Sequence, residues 1–308
     1  MVRNGLVSIV IPAHNAAKTI VRAVQSVLVQ DYRPIEVVVV DDCSEDETGE
    51  IVEGYADRGV RLIKLDRCHG ASGARNAGIA ASRGEFVAFQ DADDEWLPSK
   101  LTKQMAVLQS DERIIFVSCA ANVISPEGVD LGDLYQGRLP ATGGQVWRTL
   151  LLYNFIATPS VVVRRTALAT AGGFSTALRV AEDQDMWLRL ASLGHFGYVP
   201  DILLRVHMSP GGLSGNFDDQ MRYTLPMIRR HIEAKREELT QREINAILGE
   251  RLSRLGRVAL WQSRYVDGAM LLGQALLRGH HPLDILLALV NWAPPVRWLK
   301  RWLRTKAA

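Results

Sequence analysis

The 308-residue chain is poor in cysteine, with Cys43, Cys68 and Cys119 its three thiols. An odd number at wide spacing reads as reduced thiols in a cytosolic protein rather than as a disulfide framework or a zinc site. Nowhere do 18 uncharged apolar residues follow one another, so the pattern of a membrane-spanning helix is missing. A leader pattern is missing too: Met1-Val2-Arg3-Asn4 passes straight into alternating apolar residues, with no small-residue cleavage site. No Gly-x-Gly-x-x-Gly follows the first strand pattern, and Gly-x-x-x-x-Gly-Lys-Ser/Thr does not occur. That excludes the dinucleotide fingerprint and the P-loop as phosphate cradles. No period is long enough for a repeat array. The net charge is only +2, with 47% hydrophobic and 23% charged residues, which excludes wholesale disorder.

What is present is uneven. Residues 1–215 carry 20 Lys and Arg against 25 Asp and Glu, whereas residues 216–308 carry 16 against 9. The first two thirds also alternate strand and helix signals. Val7–Pro12, the near-continuous apolar run Ile35–Val40, Arg61–Leu65 and Glu85–Phe89 read as strands, with Ile114–Ser118 and Ser160–Arg164 as later ones. Helical spacing covers 17–30, part of 44–55, 75–82, 98–109 and 182–193. Residues 120–145 look like a less regular insertion. This alternation predicts an α/β fold with a mixed, mostly parallel sheet flanked by helices over 1–215. A basic helical region is expected over 216–308, with helices at 218–238, 240–262, 265–279, 283–292 and 295–305. Its charge suits a membrane surface, a nucleic acid or an acidic partner, or simply a solvated face.

Chemistry concentrates where strands end. Phe89 is followed by Gln90-Asp91-Ala92-Asp93-Asp94. In an open α/β sheet ligands bind beyond the carboxyl ends of the strands. Alternate residues of an extended segment point the same way, so Asp91 and Asp93 aim together. Clustered carboxylates repel unless a proton or cation neutralises them. A hard divalent ion sharing its shell with diphosphate oxygens is one solution, and a solvated acidic turn capping the next helix is another. Glu182-Asp183-Gln184-Asp185 opens a helix, where acids complement the dipole and cap the first turn. His207 offers an imidazole to a metal, although hard cations favour oxygen. His14, His69 and His195 carry no role in this reading, and Trp187 reads as core.

Ile11-Pro12-Ala13-His14-Asn15, Val40-Asp41-Asp42-Cys43-Ser44, Gly70 to Gly78, Phe89 to Asp94, Glu182-Asp183 and Arg205 to Ser214 stand in an order and spacing that is informative as a set. Over roughly residues 1–215 they resemble the family 2 glycosyltransferases, whose fold is the nucleotide-diphospho-sugar transferase (GT-A) fold. The resemblance implies an inverting transfer from a nucleotide-diphospho-sugar, UDP first among the nucleotides, to an acceptor hydroxyl in cell-surface polysaccharide or glycolipid assembly. It implies that Pro12, Ala13 and Asn15 lie against the nucleotide. Asp42, with Asp41 beside it, would accept from base or ribose. Arg75 would contact the nucleotide and Asp91 the ribose. Asp93 would hold Mg²⁺ or Mn²⁺, with His207 on the metal or the diphosphate. Asp183 would take the acceptor proton, and Glu182 joins the substrate-binding set, with helix capping as its alternative. Asp94 would brace the acidic turn or cap the helix after it, and Asn76 would shape a helix start; the glycines and serines of Ser209–Gly215 suggest a flap over the bound donor. The processive members' Gln-x-x-Arg-Trp motif and spanning helices are absent, which favours transfer of single sugars.

The tail from Ala293 to Arg304 mixes tryptophans with lysine and arginine, the composition of an interfacial helix. The expected partners are therefore a nucleotide-sugar, a glycan or lipid-linked acceptor and a membrane surface. Nucleic acid is not expected, because no reader motif accompanies the basic tail. The expected location is cytoplasmic, peripheral on the inner face of the membrane. Two other readings use the same fold: a sugar nucleotidyltransferase, whose glycine-rich basic first loop is missing here, and a catalytically degenerate binding or scaffold protein, which the retained acids argue against.

Overall fold

Val37 to Val40 are all buried, as a strand covered on both faces requires. They belong to a computed structural model that describes residues 3–135, 143–208 and 216–282. The loop expected to close over the donor (209–215), the helices expected at 283–292 and 295–305, and the tryptophan-rich basic tail lie outside the described residues. The chain divides into two compact units, Met1–Leu150 with Asn154–Gly212, and Leu151–Tyr153 with Leu213–Ala308.

The first unit is built on one sheet. Its strands are β1 (Arg3–Ala13), β2 (Ile35–Asp41), β3 (Val60–Lys64), β4 (Gly84–Phe89), β5 (Glu95–Trp96), β6 (Ile114–Ile124), β7 (Asp130–Asp133), β8 (Val162–Arg164) and β9 (His195–His207). Their order is β3-β2-β1-β4-β8-β6-β9-β5, with β7 paired to β6. From β3 to β4 all neighbours are parallel, β8 is antiparallel to both β4 and β6, and β6 and β9 run parallel. The chain leaves β1 toward β2 and β3, then returns to the other side of β1 as β4. The loops after β1 and β4 therefore diverge and leave a crevice between them, the ligand-binding switch point of an open α/β sheet.

The helices of this unit are α1 (Ile20–Leu28), α2 (Thr48–Glu53), α3 (Gly70–Ala81), α4 (Lys100–Ser110), α5 (Trp147–Leu152), α6 (Arg165–Ala171) and α7 (Glu182–Leu193). α1 buries Ile20, Ala23, Val24 and Val27, the apolar stripe its spacing predicts. α3 begins at Gly70, well before the expected start at 75, because Asp42 accepts hydrogen bonds from the backbone N–H of His69 and Gly70 there. A Cβ at position 78 would fall inside the envelope of the Val10 side chain, so Gly78 lets α3 lie directly on β1. Asn76 is consequently mid-helix and does not shape the start. Its amide instead accepts from Phe174 N–H and donates to Phe174 C=O, each at 2.8 Å.

Two sequence expectations need correction. Of the insertion expected at 120–145, the part up to residue 135 is more regular than expected: β6 continues to Ile124 and β7 follows it, because β9 pairs with β6 from Ile114↔His195 to Ile124↔His207. β9 is hidden in the sequence by Gly197 and Pro200. A register shift between Cys119 and Ala120, whose partners are Val199 and Ile202, carries Pro200 out of the ladder. The cysteines are the second correction. Cys43 and Cys68 leave neighbouring parallel strands at the same edge and are joined by a disulfide, Cα–Cα 5.3 Å, while Cys119 is the buried free thiol. Their separation of 25 residues along the chain carries no hint of this closeness in space.

The second unit is helical in its described part. A turn α8 (Phe217–Asp219) leads through the π segment Gln220–Thr224 into α9 (Leu225–Ala234), followed by α10 (Gln241–Trp261) and α11 (Tyr265–Leu277). Thr240 and Glu243 form a reciprocal capping box at the start of α10. The core of this unit gathers Phe217, Leu252, Leu255, Leu260, Leu271 and Leu272. No helix among the described residues is long and apolar enough to cross a membrane.

Candidate active site

The crevice has two walls. On one side are the exits of β1 and β2. Ala13 pairs with Asp41 in the ladder, and Asp42 N–H donates to Ala13 C=O at 2.8 Å. Pro12 and Ala13 are thus backbone of the wall itself. Asn15 adopts φ 48°, a left-handed conformation that asparagine tolerates better than most residues. Its N–H donates to Ser44 Oγ at 3.0 Å, and its Oδ1 accepts from Glu45 N–H at 2.9 Å. Asp41 accepts from Ser44 N–H at 3.0 Å. Asp42 receives His69 N–H on one oxygen and Gly70 N–H on the other, both at 2.7 Å. Both carboxylates are buried and both serve backbone N–H donors. Charge-assisted bonds of this kind are the stronger ones, so this wall is fixed.

The opposite wall forms where β4 ends and α7 begins. Arg75, from α3, is buried and reaches across both: one Nη donates to Asp91 at 3.1 Å, the other to Glu182 at 3.0 Å. Its guanidinium stacks 5.4 Å from the Phe174 ring centre. Burial opposes its charge, but Asp91 and Glu182 outweigh that penalty and hold the proton more firmly. Beneath lies a set of rings: Phe89, Phe174 and Trp187 contact one another at 5.2 to 6.3 Å, and Phe116 stacks on Trp187. Trp187 is accordingly core.

Asp183 sits beside Glu182 in the first turn of α7. Its Oδ2 accepts from Asn154 Nδ2 at 2.9 Å, and its Oδ1 from Gln184 N–H at 2.6 Å. Burial first and the Glu182 charge second push its pKa up to about 6, against the pull of these hydrogen bonds and of Arg75. Asn154 carries no sequence signal; it stands in a loop without a motif. Asp185 turns away from the crevice to pair with Arg189 at 2.9 Å.

The acidic turn is tied to β9. Asp94 is buried and accepts from His207 N–H at 3.0 Å, so it braces the turn. Burial, then the charges of Asp91 and Asp93, raise its pKa well above the ordinary carboxylate range. Arg22 donates to the Asp93 carbonyl. β5 pairs with β9 through Glu95↔Arg205 and Trp96↔Leu204, which seats His207 at the turn. Its Nε2 is 3.7 Å from Glu95 Oε2 and has no hydrogen-bond partner, and burial, with Arg22, keeps the ring below its ordinary pKa. Gln90, fully buried between Phe89 and Asp91, has neither amide atom hydrogen-bonded. Thus Asp91, Glu182 and Asp183 are gathered around Arg75, and Asp93, Asp94 and His207 around the turn, while Pro12, Ala13, Asn15, Asp41 and Asp42 form the facing wall.

Known proteins resemble this chain in sequence and fold. The model of glycosyl transferase family 2 matches residues 8–168. Over 219 residues the chain is 36% identical to the succinoglycan biosynthesis protein ExoO of Rhizobium meliloti, covering 68% of this chain and 62% of that protein. It is 32% identical over 214 residues to WfaP of Escherichia coli, a UDP-Glc:α-D-GlcNAc-diphosphoundecaprenol β-1,3-glucosyltransferase, covering 68% of this chain and 80% of that one. Among solved structures, the mannosyltransferase PcManGT of Pyrobaculum calidifontis, in complex with GDP-Man and Mn²⁺, superposes with TM-score 0.62 at 22% identity, over 95% of this chain and 82% of that one. That likeness establishes the GT-A type of fold. With the family model spanning more than half of the chain, from within β1 through β8, and taking in the acidic turn and the exits of β1 and β2, the chain belongs to glycosyl transferase family 2.

Proposed function

We propose that this glycosyltransferase moves a sugar from a nucleotide-diphosphate donor, UDP being favoured, to an acceptor hydroxyl with inversion at the anomeric carbon, Asp183 acting as the base. The observation that carries the reading is Asp183 itself. It is half-buried, oriented by Asn154 and raised to about 6, so it is ionised at neutral pH yet still basic enough to accept a proton as the acceptor oxygen attacks. Arg75 keeps Asp91 and Glu182 in place while the donor occupies the crevice. The facing wall offers the nucleotide the Pro12–Asn15 backbone and, beside it, Asp41 and Asp42.

A divalent cation, Mg²⁺ or Mn²⁺, fits the residues at the turn. Asp91, Asp93 and Asp94 crowd like charges, and His207 presents a ring nitrogen with no hydrogen-bond partner. Asp93 and His207 would hold it, and when bound it would neutralise charge on the departing nucleotide diphosphate. UDP-Glc in the name of WfaP's activity and GDP-Man bound to PcManGT support a nucleotide-sugar donor. WfaP's diphosphoundecaprenol acceptor supports a lipid-linked acceptor and work at the inner face of a membrane. Trp261, Val266, Met270 and Leu277 are exposed apolar side chains of the second unit, which suits docking at a bilayer surface.

The test is a screen of nucleotide-sugars for binding and slow donor hydrolysis with Mn²⁺ or Mg²⁺, on the wild type, Asp93→Ala and Asp183→Asn. The expected result is one donor bound with metal, binding lost in Asp93→Ala, and binding kept but turnover lost in Asp183→Asn. Absence of binding for every donor and metal would overturn the reading.

A further inference from the structure

Three soft ligands meet beside the nucleotide wall, and the catalytic reading uses none of them. His14 leaves β1, Cys43 leaves β2 and Cys68 leaves β3, three adjacent parallel strands. Their ligand atoms all lie within 4.8 Å of one another. His14 Nδ1 lies 2.8 Å from the Asp42 carbonyl, to which it can only donate. The proton is therefore on Nδ1 and a lone pair on Nε2, which accepts from Asn15 Nδ2 at 3.3 Å and would give up that partner to a metal. A metal-binding histidine typically has this arrangement, with its second nitrogen donating to a carbonyl. Asp42 also ties the Cys68 loop to the Cys43 loop, through its bonds to His69 and Gly70. The cage is thus held together whether or not the two sulfurs are bonded. Cys43 itself adopts φ 56°, unusual for a residue with a side chain, and such conformations gather at functional sites. His14 and Cys68 are exposed, so solvent, reductant and metal all reach the cluster.

We propose that His14, Cys43 and Cys68 form a binding site for a borderline-soft divalent cation of the zinc type, present in the dithiol state and abolished by the disulfide. A small dithiol reductant cleaves the Cys43–Cys68 bond by two thiol–disulfide exchanges. Its own two thiols become a disulfide, and the protein gains two thiols. The cation then binds both sulfurs as thiolates, releasing two protons, with the imidazole as third ligand and water completing a tetrahedron. This site is separate from the oxygen-rich one at Asp93 and stands or falls without it.

The experiment uses the whole chain, reduced by a dithiol, freed of reductant without air and titrated with Co²⁺ alone. Thiolate-to-cobalt charge-transfer absorbance should grow to one equivalent and be displaced by Zn²⁺. Because that absorbance requires sulfur, a cation at Asp93 and His207 does not produce it. The disulfide form should show none, and Cys43→Ser and Cys68→Ser should lose it, while Cys119→Ser keeps it. His14→Ala should bind weaker by more than roughly tenfold, the least that losing even an outer partner of a metal site costs. Comparing oxidised with reduced wild type needs no variant to fold. Reduced wild type without the band, a band that survives both cysteine variants, or undiminished binding in His14→Ala would overturn the proposal.

Discussion

The two walls of the crevice hold carboxylates in opposite ways. Asp41 and Asp42 are buried among backbone N–H donors that solvate them completely enough to fix a loop and start a helix. Asp91, Glu182 and Asp183 are gathered around one arginine, and their mutual repulsion is incompletely relieved. The same residue type is thus scaffold on one wall and reservoir on the other. What separates them is that Asp91 and Glu182 share one cation, while Asp183, although it has donors of its own, lies against the Glu182 charge. Shared, strained charge is what a reaction can draw on.

The sharpest break in this comparison is functional. Asp183→Asn should lower turnover about 10²- to 10⁴-fold with donor binding retained, the span of a lost general base, as read by steady-state kinetics beside donor titration. In the wild type, turnover should fall as pH drops through about 6, where Asp183 takes up its proton. Next comes the shared cation. Arg75→Met leaves the half-buried Asp91 and Glu182 without it, and should cost about 3 kcal/mol in denaturant unfolding, the upper end for hydrogen bonds to charged groups.

The third prediction has opposite signs on the two walls. Asp42→Asn replaces an acceptor oxygen with an N–H donor facing backbone N–H, and should cost about 1.5–3 kcal/mol. Asp183 titrates at about 6 in the fold against its ordinary 3.8, so its contribution to stability is full below the lower value and lost as pH rises through the higher. Asp183→Asn should therefore be more stable than wild type near neutral pH, less whatever its amide N–H loses against the donors of Asp183, with the gap closing in acid. Matching signs in parallel urea titrations would erase the distinction between the walls. The smallest effect belongs to Asn154→Ala, which removes one hydrogen bond from Asp183 and should move the acid limb of the rate profile upward by about one pH unit or less.

Much of this was legible in the sequence because it is local. Ile20, Val24 and Val27 announce α1, Val37–Val40 announce a doubly covered strand, and the acids that begin two residues after Phe89 announce where β4 ends. What escaped depends on partners distant in sequence. β9 is interrupted by Gly197 and Pro200 and exists because β6 offers a ladder with a register shift at that point. Asn154 stands 29 residues from Asp183 in a loop whose composition says nothing of orientation. Cys43 and Cys68 meet only because β2 and β3 end side by side. Asn76 looked like a local capping residue and instead fastens a loop 98 residues away.

The rings under the second wall set a dimension. Phe89 lies two residues before Asp91 and Trp187 one helical turn after Asp183, and the two rings are in contact at 6.3 Å. Packed rings yield little to compression, so the span between the two acidic segments is gauged by hydrocarbon thickness, much as a shim fixes the opening of a caliper. A narrower ring at position 187 would leave every polar residue of the site unchanged and still misplace the jaws.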